Sequence, residues 1–133
     1  MAAQEGAALE IHNDDPVMHN THVSLGAQTF VNVALVPQGR PIEKPIKRFG
    51  HYTVKCDAHK FMTATLMVFP HSRFAVTDEA GDFRIPNLPP GTYWVQIWHE
   101  ALGVRRQPLV ISPHGEATLT IEYSTHDLHA AKP

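Results

Sequence analysis

The chain has 133 residues, 11 Lys and Arg against 13 Asp and Glu, a net charge of −2, ten His and a single Cys. That length supplies one domain with a real core. The near-balanced charge gives no general pull toward nucleic acid or an anionic membrane, no stretch nears the roughly 18 apolar residues of a membrane helix, and a lone Cys excludes an internal disulfide.

Residues 1–7 are small and polar and read as a loose terminus. Ala8 to His12 reads as a short strand, and Asn13-Asp14-Asp15-Pro16 as a turn, capped by its Asx residues and fixed by Pro. Gln28 to Val36 alternates and is rich in Val, Phe and Thr, a strand signature. Pro37 to Pro41 breaks it, and Ile42 to Arg48 reads as a surface loop or edge strand. The cluster Lys44, Lys47, Arg48 is either a solvated face or a docking patch for an acidic partner.

Gly50 to Cys56 and Ala64 to Phe69 are strands flanking a short loop. Arg73 to Thr77 and Asp82 to Ile85 are expected to form a hairpin about the Asp78–Gly81 turn. Thr92 to His99 is a further strand, and Leu109 to Ser112 and Ala117 to Tyr123 close the series around Pro113-His114-Gly115. Residues 124–133 are polar and read as a frayed tail. Many short strands, Gly/Pro turns and no helical period predict an all-β sandwich or barrel. With no clear linker, one domain over 1–133 is expected, made of residues 8–68, an extension over 69–123 and the tail.

The chemistry concentrates in Cys56-Asp57-Ala58-His59-Lys60-Phe61-Met62. Thiolate, imidazole and thioether are the donors that copper prefers, and a blue-copper site needs two His, one Cys and a weak axial Met. Against this, a lone Cys is often a small buried hydrophobe. Zinc is the other metal to weigh, but Met serves it poorly and structural zinc sites favour more thiolates. The missing second imidazole would come from upstream, where His19 sits in Val17-Met18-His19-Asn20-Thr21-His22.

Gly50 to Cys56 followed by His59 and Met62, with His19-Asn20 upstream, resembles the ligand loops of cupredoxins, with the short Cys-x2-His-x2-Met spacing of amicyanin. The likeness covers about Leu9 to Val68. It implies a Greek-key sandwich with one mononuclear type 1 copper held by His19, Cys56 and His59, with Met62 axial. It also implies that Asn20 ties the two ligand loops together and donates toward the Cys sulfur. Electrons would then pass through the exposed edge of His59 to a protein redox partner, within a patch for which Phe61, Ala58 and Pro16 are candidates. The family is mostly exported, which implies a periplasmic or extracellular location, although Met1 to Gly6 lacks the regions of a signal peptide.

Thr77 to Ile85 followed by Leu88-Pro89-Pro90-Gly91-Thr92-Tyr93 resembles a carboxypeptidase regulatory-like, transthyretin-like module. That motif is structural and carries no catalysis. The order departs from an ordinary cupredoxin, since few residues precede His19 and many follow Met62. The later strands would replace the missing early ones, or a second copy would pair on an exposed sheet edge as a homodimer.

His22, three residues beyond His19 on extended chain, points to the opposite face. It reads as a supporting or exposed residue, or an additional metal ligand. His99 with Glu100 is either a strand-end histidine or a second, weaker metal or proton site. The leading expectation is an electron carrier and not an enzyme. The alternative is a copper storage or delivery module, and a copper reductase domain would need a second copper site, for which His22, His71 and His99 are to spare.

Overall fold

The computed structural model describes residues 1–113 and 115–124. Among these described residues lie nine strands: β1 (Ala2–Gln4), β2 (Ala8–Ile11), β3 (His19–Leu25), β4 (Gln28–Leu35), β5 (Ile42–Pro45), β6 (Gly50–Lys55), β7 (Thr63–Phe69), β8 (Gly91–His99) and β9 (Gly103–Ile111). No helix occurs among the described residues. The all-β class read from the turn-punctuated sequence is what the chain adopts.

The chain divides into two compact units, residues 1–85 and 86–133. In the first, a five-stranded sheet runs in the order β1-β7-β6-β3-β4, and β2 pairs with β5 in a separate ribbon. Alternation decides which side chains meet. Val23, Val31, Leu35, Tyr52, Leu66 and Val68 from the sheet form one buried cluster with Ile11 and Ile46, against which Leu9 and Ile42 of the ribbon pack. The ribbon thus covers one face of the large sheet, as in a sandwich. The one polar atom that the Tyr52 ring carries into this core is satisfied, its hydroxyl donating to the Arg48 carbonyl at 2.7 Å.

The amino terminus departs from expectation. Ala2–Gln4 is not loose but lies parallel to Met67–Phe69 at the sheet's edge, and the Met1 ammonium donates to the Thr65 carbonyl at 3.0 Å. Three small or polar residues carry no strand pattern of their own; β7 offers them an unpaired row of carbonyls and amides, and Gly6 and Ala7 complete the attachment by bonding to Ile46.

The expected hairpin over 73–85 is reduced to its turn. Asp78 Oδ1 accepts from the Ala80 and Asp82 amides, both at 2.9 Å, and the Asp78 amide donates to the Asp82 carbonyl at 3.0 Å. The flanking residues form no strands. Local side-chain bonding makes the turn, but the arms lack a sheet to join.

In the second unit β8 and β9 form one antiparallel ribbon, with Gly91 opposite Ile111 and His99 opposite Gly103. β9 begins well before the expected Leu109, taking in Arg105, Arg106 and Pro108; a two-stranded ribbon tolerates Pro on its unpaired side. Tyr93 donates its hydroxyl to the Pro89 carbonyl at 2.6 Å, which gives the Pro-Pro-Gly-Thr-Tyr sequence a structural purpose. Residues 117–123, expected as a strand, are not one. The tail from residue 125 and His114 lie outside the described residues.

Candidate metal centre

β6 and β7 are joined by residues 56–62, which fold as two successive tight turns. The His59 amide donates to the Cys56 carbonyl at 3.3 Å and the Met62 amide to the His59 carbonyl at 2.9 Å. The Cys56 amide closes the loop on the Met62 carbonyl at 3.1 Å. Three-residue spacing between Cys, His and Met therefore equals one turn per ligand-bearing residue, which returns the loop to its starting strand.

His19 arrives from the neighbouring strand. β3 pairs antiparallel with β6, His22 opposite Lys55, so the start of β3 lies at the same end of the sheet as Cys56. The turn before it is fastened by Asn13, a buried side chain at 7 % exposure. Its amide group donates to the carbonyls of Val17 and Leu35, each at 2.9 Å, and its oxygen accepts from the Asp15 amide. Asp15 Oδ2 in turn lies 2.8 Å from His19 Nε2. A carboxylate on Nε2 fixes the proton there and turns Nδ1 inward.

The result is a convergence of three donors. His19 Nδ1 and His59 Nδ1 are 3.1 Å apart, and Cys56 Sγ is 3.5 Å from His59 Nδ1. The ligand atoms of all three residues lie within 4.8 Å of one another. Nitrogens about 2.0 Å and a sulfur about 2.3 Å from one ion stand roughly 3.1–3.6 Å apart at angles near tetrahedral. The two short separations fall on those edges and the third pair lies within 4.8 Å, so the three donors could hold a single ion. Cys56 is 6 % exposed and the His19 side chain 11 %, so water competes weakly for the site.

Electrostatics prepare the sulfur. The Cys56 thiol is drawn down from 9.0 to about 6, chiefly by the Asn20 backbone N–H, with His19, His59 and the Ala58 N–H adding to it and burial opposing. His19 is raised above 6.5, chiefly by its bond to Cys56, with Asp15 adding and burial opposing. Thiolate and imidazolium thus stabilise each other, and an entering cation would replace the shared proton.

The remaining predicted residues fall as follows. Met62 is 36 % exposed and joins the loop through its backbone. Asn20 uses its peptide N–H on the sulfur and its side-chain oxygen on the Asp57 amide, at 2.5 Å. His22 lies on the opposite face of β3 from His19, with Nδ1 on Asp57 at 3.2 Å and Nε2 on Thr29 at 3.0 Å. His99 is in the second unit, where Nδ1 accepts from the Ala101 amide at 3.1 Å. His71 accepts from the Arg73 amide and stacks on Phe69. Phe61, at 84 % exposure, leaves its ring 5.9 Å from that of His59. The basic cluster is remote: Lys44, Lys47 and Arg48 line a cleft with Leu25 and Tyr52, at the far end of β3 and β6. Sequence reasoning missed the Asp15 contact to His19 and the roles of Asn32 and Asp57; polar residues at alternate positions of β3, Asn20 and His22, were the available signal.

The carboxypeptidase regulatory-like domain model matches residues 53–124, more than half of the chain, and takes in Cys56, His59 and Met62. The chain belongs to that family. Its fold is also similar to that of a purple cupredoxin from Nitrosopumilus maritimus, at 22 % identity over 52 % of this chain and 76 % of that one, with a TM-score of 0.45. A comparison with curated proteins finds no match.

Proposed function

We propose that this protein holds one copper ion through His19, Cys56 and His59, with Met62 as a candidate weak fourth donor, and passes single electrons to and from protein partners. The observation that carries the reading is the meeting of one thiolate and two imidazoles at 3.1 and 3.5 Å. One Cys and two His is the copper donor set, and structural zinc asks for more thiolate. Copper would supply the reversible one-electron couple. The chain's part is to keep the sulfur ionised, to hold His19 through Asp15 and Asn13, and to exclude water. The loop's interlocked turns keep the donors in place whichever charge the site carries. Electrons would leave by His59, which is half-buried beside the exposed Phe61 ring. This is a carrier's work and needs no substrate pocket; an exported location suits it.

Adding Cu(II) to the metal-free protein tests the reading. An intense visible band from thiolate to copper, with a reversible couple, is the expected result, and Cys56→Ser removes the band. Copper that binds without that colour, or is reduced and released, would make the protein a storage or delivery module instead.

A further inference from the structure

The outward face of the sheet beside Cys56 carries a polar cluster that the donor set does not use. Asn20 and His22 stand two apart on β3, and Asn32 on β4 is paired with His22. Asp57, the residue after the cysteine, reaches all three. Asp57 Oδ2 accepts from Asn20 Nδ2 at 3.1 Å and from Asn32 Nδ2 at 3.3 Å, and Oδ1 accepts from His22 Nδ1 at 3.2 Å. Asn20 Nδ2 also donates to Asn32 Oδ1 at 2.6 Å. His22 is oriented from behind, its Nε2 accepting from the Thr29 hydroxyl at 3.0 Å.

These bonds leave Asn20 little freedom. Its side chain is held at both ends, by Asp57 and Asn32 on the nitrogen and by the Asp57 amide on the oxygen. With that carboxamide tied to the Asp57 amide, Asn20 is held against the ligand loop, where its backbone N–H bonds the Cys56 sulfur. We propose that His22 and Asn32 are positioning residues: through the Asp57 carboxylate they lock Asn20, and so set the strength of the N–H···S bond on the cysteine sulfur. A rotamer-free Asn20 would share that amide with water. Neither ring nitrogen of His22 is left over for a metal, because one faces Asp57 and the other Thr29.

The inference rests on the copper reading only where it concerns colour and potential. Hydrogen bonding around the Cys sulfur tunes a copper–thiolate site. A weaker N–H···S bond leaves the sulfur richer in electrons, so the thiolate-to-copper band moves to longer wavelength and the reduction potential falls.

The experiment compares His22→Ala, Asn32→Ala and His22→Asn with the parent chain. The carboxamide introduced by His22→Asn would keep a donor nitrogen where His22 Nδ1 stands. In metal-free protein, amide hydrogen exchange at Asn20 should quicken about tenfold in both alanine variants, the scale set by one lost hydrogen bond, and stay near the parent rate in His22→Asn. In copper-loaded protein both alanine variants should bind copper, absorb at longer wavelength and show a lower potential. In an Asp57→Ala background His22→Ala should add nothing further, whereas Asn32→Ala should still quicken Asn20 exchange by removing the direct Asn20–Asn32 bond. A general loss of stability with Asn20 exchange, band and potential unchanged overturns the proposal, as does a His22→Asn variant that behaves like His22→Ala. If the parent shows no thiolate–copper band, the electron-carrier reading fails, and the Asn20 exchange rates still decide the inference.

Discussion

The charge state of Cys56 is the sharpest quantity to measure, because it can be read without any metal. An isolated thiol at 9.0 would be about 1 % ionised at neutral pH; one at about 6 is about 90 % ionised. The difference is roughly a thousandfold in acidity, and its largest source is the Asn20 N–H, ahead of the two imidazoles. Titrating the ultraviolet absorbance of the thiolate in metal-free protein, or its alkylation rate against pH, should give a midpoint near 6. The same shift fixes the sign of its linkage to stability. A folded-state value below the unfolded one contributes stability that is fully present above about 9.0 and lost as the pH falls through about 6. His19 acts oppositely: its raised value adds stability that is present below 6.5 and lost as the pH rises through its folded value. A midpoint near 9 would refute the account, since it would mean that neither the Asn20 amide nor the imidazoles touch the sulfur in solution.

Other outcomes follow from the same structure. Met62→Leu should keep the thiolate-to-copper colour and raise the potential, measured by voltammetry; an unchanged potential would remove Met62 from the site. Ile46→Ala, at a residue 1 % exposed in the core, should cost about 2–5 kcal/mol of unfolding free energy with an unchanged denaturant slope. Gly50 has φ +144°, and a Cβ there would stand 2.6 Å from Leu25 Cδ1, so Gly50→Ala should destabilise the first unit by about 1–3 kcal/mol, read by denaturant titration.

Much of this protein is written locally. Alternation in Gln28–Leu35 and Gly50–Lys55 states both the strand and its buried face, because a side chain's face depends only on its parity along extended chain. The ligand loop is as legible: Cys56, His59 and Met62 at equal intervals are one tight turn apart, and those turns close on short-range hydrogen bonds. The Asp78 turn is of the same kind.

What the sequence could not state is what depends on partners distant in the chain. Nothing in Ala2-Ala3-Gln4 marks it as a strand until β7 lies alongside. The arms about Asp78 have strand-like composition but gain no ladder, so pattern overstated them. His19 reaches Cys56 only because β3 docks antiparallel on β6 in one register, and a slip of one residue would put His19 outward and Asn20 in its place. Asp15 on His19, and Asn32 and His22 on Asp57, exist through that same register. Residue order thus named the donors, while strand pairing chose their neighbours, and the neighbours set the acidity of the sulfur.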